Sequence, residues 1–154
     1  MLSFTDVEDY EEVYELVQCQ LDKAHFPLDV AKFCLSLMDK FKFSAHHILR
    51  IKVNEAAFDA SLDELQCHEC RIPDMKSLDS FKTQLLEEAL TYGCYLTEAY
   101  EQFGGLWNKR GINHARVSTL LAKLGRSQEA RQIAFEANRI LKITRGQEIQ
   151  WPEN

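Results

Sequence analysis

From Leu85 to Gly146 the chain reads as three consecutive amphipathic helices joined by short turns: LLEEALTYGCYLTEAYEQF, WNKRGINHARVSTLLAKLG and RSQEARQIAFEANRILKITRG. Val117, Leu120, Leu121 and Leu124 fall at i, i+3, i+4 and i+7, which puts four branched aliphatics on one stripe of a 3.6-residue helix. Gly125 follows, a residue that takes a left-handed backbone at little steric cost and so ends helices. Ser127 can cap the next helix, whose stripe is Ala130, Ile133, Ala134, Ala137, Ile140 and Leu141. That stripe is rich in small residues, so the last two helices can approach closely as an antiparallel hairpin. No strand periodicity competes anywhere in the chain.

A partial repeat supports the same architecture. Ala89, after Leu86-Glu87-Glu88, answers Ala130, after Gln128-Glu129, at an offset of 41 residues (130 − 89). This exceeds the roughly 34 residues of a tetratricopeptide repeat, but the helix-turn-helix logic is shared: each hairpin buries its apolar face only by stacking on a neighbour. Upstream, Val7, Tyr10, Tyr14, Val17 and Leu21 predict a helix over Thr5 to Ala24, capped by Ser3 or Thr5. Pro27 suits the first turn of a second helix running to about Lys40. Ala31, Cys34, Leu35 and Met38 line one face of it, while Phe33 and Leu37 give it a second apolar face. A third, capped by Ser44, spans about Ala45 to Leu65 with the stripe Leu49, Val53, Ala56, Ala57 and Ala60. Gln66 to Ser80 breaks the periodicity with Cys67, Cys70 and Pro73 and reads as an exposed inserted loop, followed by a short helical turn near Ser77 to Thr83. The expected fold is all-α, a curved helical-hairpin solenoid of six to seven helices. It forms a single domain over residues 1–146 with a frayed tail at 147–154.

LLEEALTYG at Leu85 to Gly93, Tyr100, Arg110-Gly111, Leu120, Gly125, Ala130 and the ending Ala137-x3-Leu141-Lys-Ile-Thr-Arg-Gly146 look like one known domain. It is the C-terminal tetratricopeptide-like domain of the SET- and MYND-domain (SMYD) lysine methyltransferases. IKVNEAAFDASLDEL at Ile51 to Leu65 resembles the helix that precedes it in that family. The likeness covers about two thirds of the chain. It departs where Trp107-Asn108 replaces a His-Pro and where Gln66 to Gln84 is inserted, both at joints between helices.

Composition sets the bounds. A chain of 154 residues can bury roughly 70% of its unfolded surface as one domain. Neither disulfide nor metal is then needed for a core. No apolar run approaches the roughly 20 residues of a membrane span, and Met1 to Tyr10 lacks the basic start and apolar block of a secretory signal. Five cysteines, an odd count without framework spacing, fit reduced thiols in cytosol or nucleus. The net charge of −6 hides an asymmetry: from Gly105 onward nine Lys or Arg oppose four Glu, a local +5, leaving −11 upstream. Solvated helix faces account for most such patterning, but acidic and basic ends can also recruit partners of opposite charge.

Candidate sites are few. Cys67-His68-Glu69-Cys70 supplies two thiolates where structural zinc wants four ligands, and no second pair stands at regular spacing, so a loop is the simpler reading. His46-His47 reads as surface. Cys19, Cys34 and Cys94 read as small core or boundary residues. Tyr92, Tyr95, Tyr100, Phe103 and Trp107 read as core packing around one inter-helix joint. No phosphate loop, nucleophile elbow or zinc-protease motif occurs, so neither a catalytic residue nor a cofactor or metal site is expected in this chain.

The leading functional expectation is a protein-interaction module that binds a peptide or protein segment. The SMYD resemblance implies that such a domain walls the substrate cleft of a SET domain and binds acidic chaperone tails. Lys and Arg on rigid helices would hold an acidic tail through charge-assisted hydrogen bonds, with Lys109, Asn113, Arg116 and Lys123 on one helix and Lys52 on another as candidates. The alternative is a fragment of an active SAM-dependent protein lysine methyltransferase. Nucleic-acid binding is disfavoured, since Arg131, Arg139, Lys142 and Arg145 are scattered around their helix and the chain is acidic overall.

Overall fold

A computed structural model of the protein describes residues 9–71, 80–102 and 107–147. Among them the fold is all-α with six helices: α1 Tyr10–Leu21, α2 Leu28–Lys40, α3 Ile48–Arg71, α4 Ser80–Glu101, α5 Trp107–Lys123 and α6 Ser127–Gln147. The chain divides into two compact units, Met1–Gln66 and Cys67–Asn154, so the last turn of α3 belongs with the second. No described helix is long and apolar enough to cross a membrane.

In the first unit α1 begins where Asp9 caps it: the Asp9 carboxylate accepts from the Glu12 amide at 2.9 Å. The caps expected at Ser3 or Thr5 lie outside the described residues. The buried stripe of α1 is Val13, Leu16 and Val17, while Tyr10 and Tyr14 remain more than a third exposed. The aromatic residues stay near the surface because a tyrosine hydroxyl is costly to bury without a partner, whereas Val13 is not. Pro27 precedes α2, which buries Leu28, Ala31, Cys34, Leu37 and Met38. Its expected second apolar face is not buried throughout, for Phe33 is 42% exposed.

The α2–α3 turn is built from backbone hydrogen bonds and one arginine. Lys42 takes a left-handed backbone (φ 59°), while the Phe43 amide donates to Met38 O at 2.9 Å and the Lys42 amide to Asp39 O at 3.2 Å. This closes α2 with the paired bonds of a Schellman cap. Arg50 then reaches back from α3. Its Nη2 donates to Phe43 O at 2.8 Å, Nε to Ser44 O at 3.1 Å and Nη1 to the Asp39 carboxylate at 2.6 Å.

The cap of α3 is His47 rather than Ser44: the Leu49 amide donates to His47 Nδ1 at 3.0 Å. α3 buries Leu49, Ile51, Val53, Ala57, Phe58 and Leu65, with Ala56 and Ala60 half-buried. The helix continues to Arg71, so residues 66–71 of the expected loop are helical. They contain no helix breaker; the first is Pro73, which also disfavours α-backbone at the residue before it. Residues 72–79 lie outside the description, as do Phe103 and the tail from 148 onward.

In the second unit α5 packs on both α4 and α6. Paired contacts fix the directions. Asn113 meets Gly93 and Thr97 while Arg110 meets Glu101 at 2.9 Å, so α4 and α5 run antiparallel. Ser118 Oγ donates to Ala130 O at 2.9 Å while Gly111 faces Ile140 and Leu141, so α5 and α6 do too. Val117, Leu120, Leu121, Ala130, Ala137 and Ile140 are buried as the spacing predicts. Gly125 has φ +82°, and the Arg126 amide donates to Leu121 O at 2.9 Å and the Gly125 amide to Ala122 O at 3.0 Å, a second Schellman cap. Ser127 is the first residue within α6. α4 starts at Ser80, so residues 80–83 of the expected turn belong to α4 itself, while residues 77–79 lie outside the described residues.

The thiols sort by depth. Cys34 is fully buried, and burial pushes its thiol up to about 11; Cys19, Cys67 and Cys94 are exposed. The thiolate is the nucleophile, and two pH units of depressed ionisation remove about 100-fold of it. Iodoacetamide at pH 8 should therefore label the exposed Cys19 and Cys67 much faster than Cys34, which is both shielded and largely protonated, as read by peptide mass spectrometry over time. Equal rates would mean that α2 does not bury Cys34.

Candidate functional site

The candidate site is the outer face of α5. The residues opposite its buried stripe, Lys109, Ile112, Arg116, Thr119 and Lys123 among them, are exposed, and Ile112 is exposed by 47%. Lys109, Arg116 and Lys123 stand seven residues apart, which on an α-helix returns each side chain to within about 20° of the last. The three cations form a row about 21 Å long at 1.5 Å per residue.

Each cation is held by its surroundings. Lys109 Nζ sits 6.0 Å from the centre of the Tyr100 ring, within cation–π range. Lys123 Nζ pairs with the Glu69 carboxylate at 3.3 Å, and Lys82 Nζ reaches the same carboxylate at 2.9 Å. The hydrogen bond from Lys82 holds the Glu69 carboxyl below the usual range; burial opposes it more weakly, and the hydrogen bond from Lys123 adds to the lowering. Arg116 is exposed and also engaged by a neighbour.

Asn113 does not share this face. It is only 4% exposed, and its amide donates to Gly93 O at 2.8 Å and to Thr97 Oγ1 at 2.7 Å. It ties α4 to α5, and its donors are spent there. The reason is angular: position 113 lies four residues before Val117 and belongs to the buried stripe. Lys52 is exposed on α3 in the first unit, and of the four predicted residues on α5 the structure aligns three, Lys109, Arg116 and Lys123, on one exposed face.

Three other features depend on tertiary contacts, and the first corrects the surface reading of His47, which is half-buried. Tyr10 stacks on Phe43 at 4.2 Å between ring centres, with the His47 ring 5.0 Å from Phe43 and 5.9 Å from Tyr14. The pairing joins α1 to the α2–α3 turn, and no local spacing announces it. His114 is buried, its Nδ1 2.9 Å from Arg110 O. An open recess of about 410 Å³ lies in the first unit between the start of α2 and the middle of α3.

Among the described residues no three His, Cys, Asp or Glu side chains gather as metal ligands. In the Cys67–Cys70 segment, Cys67 is exposed, His68 packs against Phe81 at 4.9 Å between ring centres, and Glu69 is held by its two lysines; the Cys70 side chain lies outside the description. Compared with family models, curated proteins and solved structures, the chain matches none.

Proposed function

We propose that the chain is a helical protein-interaction module that holds an acidic peptide segment along the outer face of α5. The row Lys109, Arg116 and Lys123 at seven-residue spacing carries the reading, on a helix whose other face is locked into α4 and α6. Successive antiparallel packing of α4, α5 and α6 fits one end of a helical-hairpin solenoid. The residues that resemble the SMYD C-terminal domain fall on the same three helices, and an acidic chaperone tail is one segment of the right chemistry.

The spacing also selects the ligand. Seven helical residues rise about 10.5 Å, close to three residues of polyproline II chain at about 3.1 Å each, a conformation that returns every third side chain to the same face. A polyproline II peptide with a carboxylate at every third position therefore meets all three cations, while Ile112 offers an apolar contact between the first two.

A fluorescein-labelled decapeptide with aspartate at every third position should bind in low salt, read by a saturable rise in anisotropy. The Lys109→Glu/Arg116→Glu double variant should bind roughly tenfold more weakly, since two pairs at about 0.7 kcal/mol each amount to that factor. A peptide of equal composition with its aspartates adjacent should also bind more weakly. If the double variant bound the spaced peptide as tightly as the parent chain, the α5 face would not be the binding surface.

A further inference from the structure

The recess in the first unit has an apolar floor and an acidic rim. Ala56, Asp59, Ala60, Asp63 and Glu64 lie at i, i+3, i+4, i+7 and i+8 on one stripe of α3, and Phe26, Pro27 and Leu28 wall the opposite side. The two alanines are what opens the space, since a larger side chain at either position would fill it. At about 410 Å³ the recess lies within the size range of small-ligand pockets and admits one large side chain with its flanking residues. Asp63 and Glu64 are exposed and make no ion pair among the described residues, whereas Asp59 is already engaged by a neighbour.

The electrostatic balance favours one sign of ligand. The start of α2, at Leu28, contributes a partial charge of about +0.5, and Asp29 in its first turn offsets that. His25 also lines the recess and contributes at most one positive charge; against these stand the carboxylates of Asp59, Asp63 and Glu64. An anion is therefore repelled and a cation attracted, while the Phe26 and Pro27 wall requires that the cation carry an apolar stem.

We propose that this recess binds an arginine side chain of a partner peptide, with its aliphatic stem across Pro27, Ala56 and Ala60 and its guanidinium against Asp63 and Glu64. Arginine is favoured over lysine because a planar fork bonds two carboxylate oxygens at once and lies flat against an aromatic face such as Phe26. The small floor left by Ala56 and Ala60 accommodates the stem that carries it. The inference does not depend on the α5 reading, which concerns another unit and the opposite charge.

The test is a titration of the ¹⁵N-labelled full chain with the capped pentapeptide Ser-Leu-Arg-Leu-Ser. Amide shifts should concentrate at residues 25, 26, 28 and 56–64 with a dissociation constant on the order of 1 mM, modest because exposed charge contacts are worth little. The citrulline analogue, isosteric but neutral, should bind at least fivefold more weakly, and so should the lysine analogue. Asp63→Asn/Glu64→Gln should weaken arginine-peptide binding at least fivefold with an unchanged thermal midpoint, because both side chains are exposed. Ala60→Phe, which fills the recess, should abolish the shifts. Equal binding of the citrulline peptide, shifts centred elsewhere, or an unaffected Asp63→Asn/Glu64→Gln variant would each overturn the assignment.

Discussion

Gly111→Ala is expected to destabilise the protein by about 1 kcal/mol, although replacing glycine inside an unobstructed helix gains up to about 1 kcal/mol. A Cβ at position 111 would lie 2.8 Å from both Leu141 Cγ and Cδ2 and 3.2 Å from Ile140 Cγ2. Ile140 is fully buried and cannot yield; Leu141 is half-buried and must move with its branch point. Overpacking of this kind costs about 1–3 kcal/mol, more than the propensity gain. The sign should invert when the obstruction is removed: in a Leu141→Ala background, Gly111→Ala should stabilise by up to about 1 kcal/mol. Urea denaturation of the four proteins measures the cycle. A stabilising Gly111→Ala in the parent chain would show that α5 and α6 lie further apart than the structure has them.

Arg50→Ala should cost about 2–4 kcal/mol, because two carbonyls of the α2–α3 turn lose a charged donor. The side chain is 12% exposed, whereas its ion-pair partner Asp39 is 72% exposed. The pair itself is thus screened and contributes less than about 1 kcal/mol, so the contribution resides in the bonds to Phe43 O and Ser44 O. Asp39→Ala should accordingly be nearly silent. Arg50→Lys should lose most of the stability that Arg50→Ala loses, since one ammonium cannot span three acceptors set around a planar fork. If Asp39→Ala and Arg50→Ala cost the same, the ion pair would be the source and the turn carbonyls would not matter. Both variants are read by thermal and urea unfolding.

The helices themselves were legible because their signals are local. Val117, Leu120 and Leu121 share a stripe by spacing alone, and Gly125 marks an end through its own backbone freedom; both are found as expected. The equivalent cap at Lys42 was hidden, since lysine takes the same left-handed backbone only under tertiary constraint. His47 as the cap of α3 was hidden for a similar reason: histidine is not among the usual capping residues, and its ring is placed by Tyr10, Tyr14 and Phe43. The continuation of α3 to Arg71 shows the reverse case, in which a polar segment with an irregular pattern reads as loop but, lacking a breaker, stays helical.

For the candidate site, the row of cations followed from counting sevens, and the placement of Asn113 did not. Its amide resembles that of any surface asparagine until Gly93 and Thr97 of α4 come within 2.8 Å. The recess required two segments some thirty residues apart, Phe26 to Leu28 and Ala56 to Glu64, to face each other. By itself the sequence determined that this chain is helical, where most of its helices run and which stripes are apolar, because those follow from a 3.6-residue period and the conformational freedom of single residues. Only the tertiary structure decided which polar groups are consumed inside, which alanines open a recess and which charges stay at the surface. Those depend on non-local neighbours, and a side chain's burial is set by what packs against it.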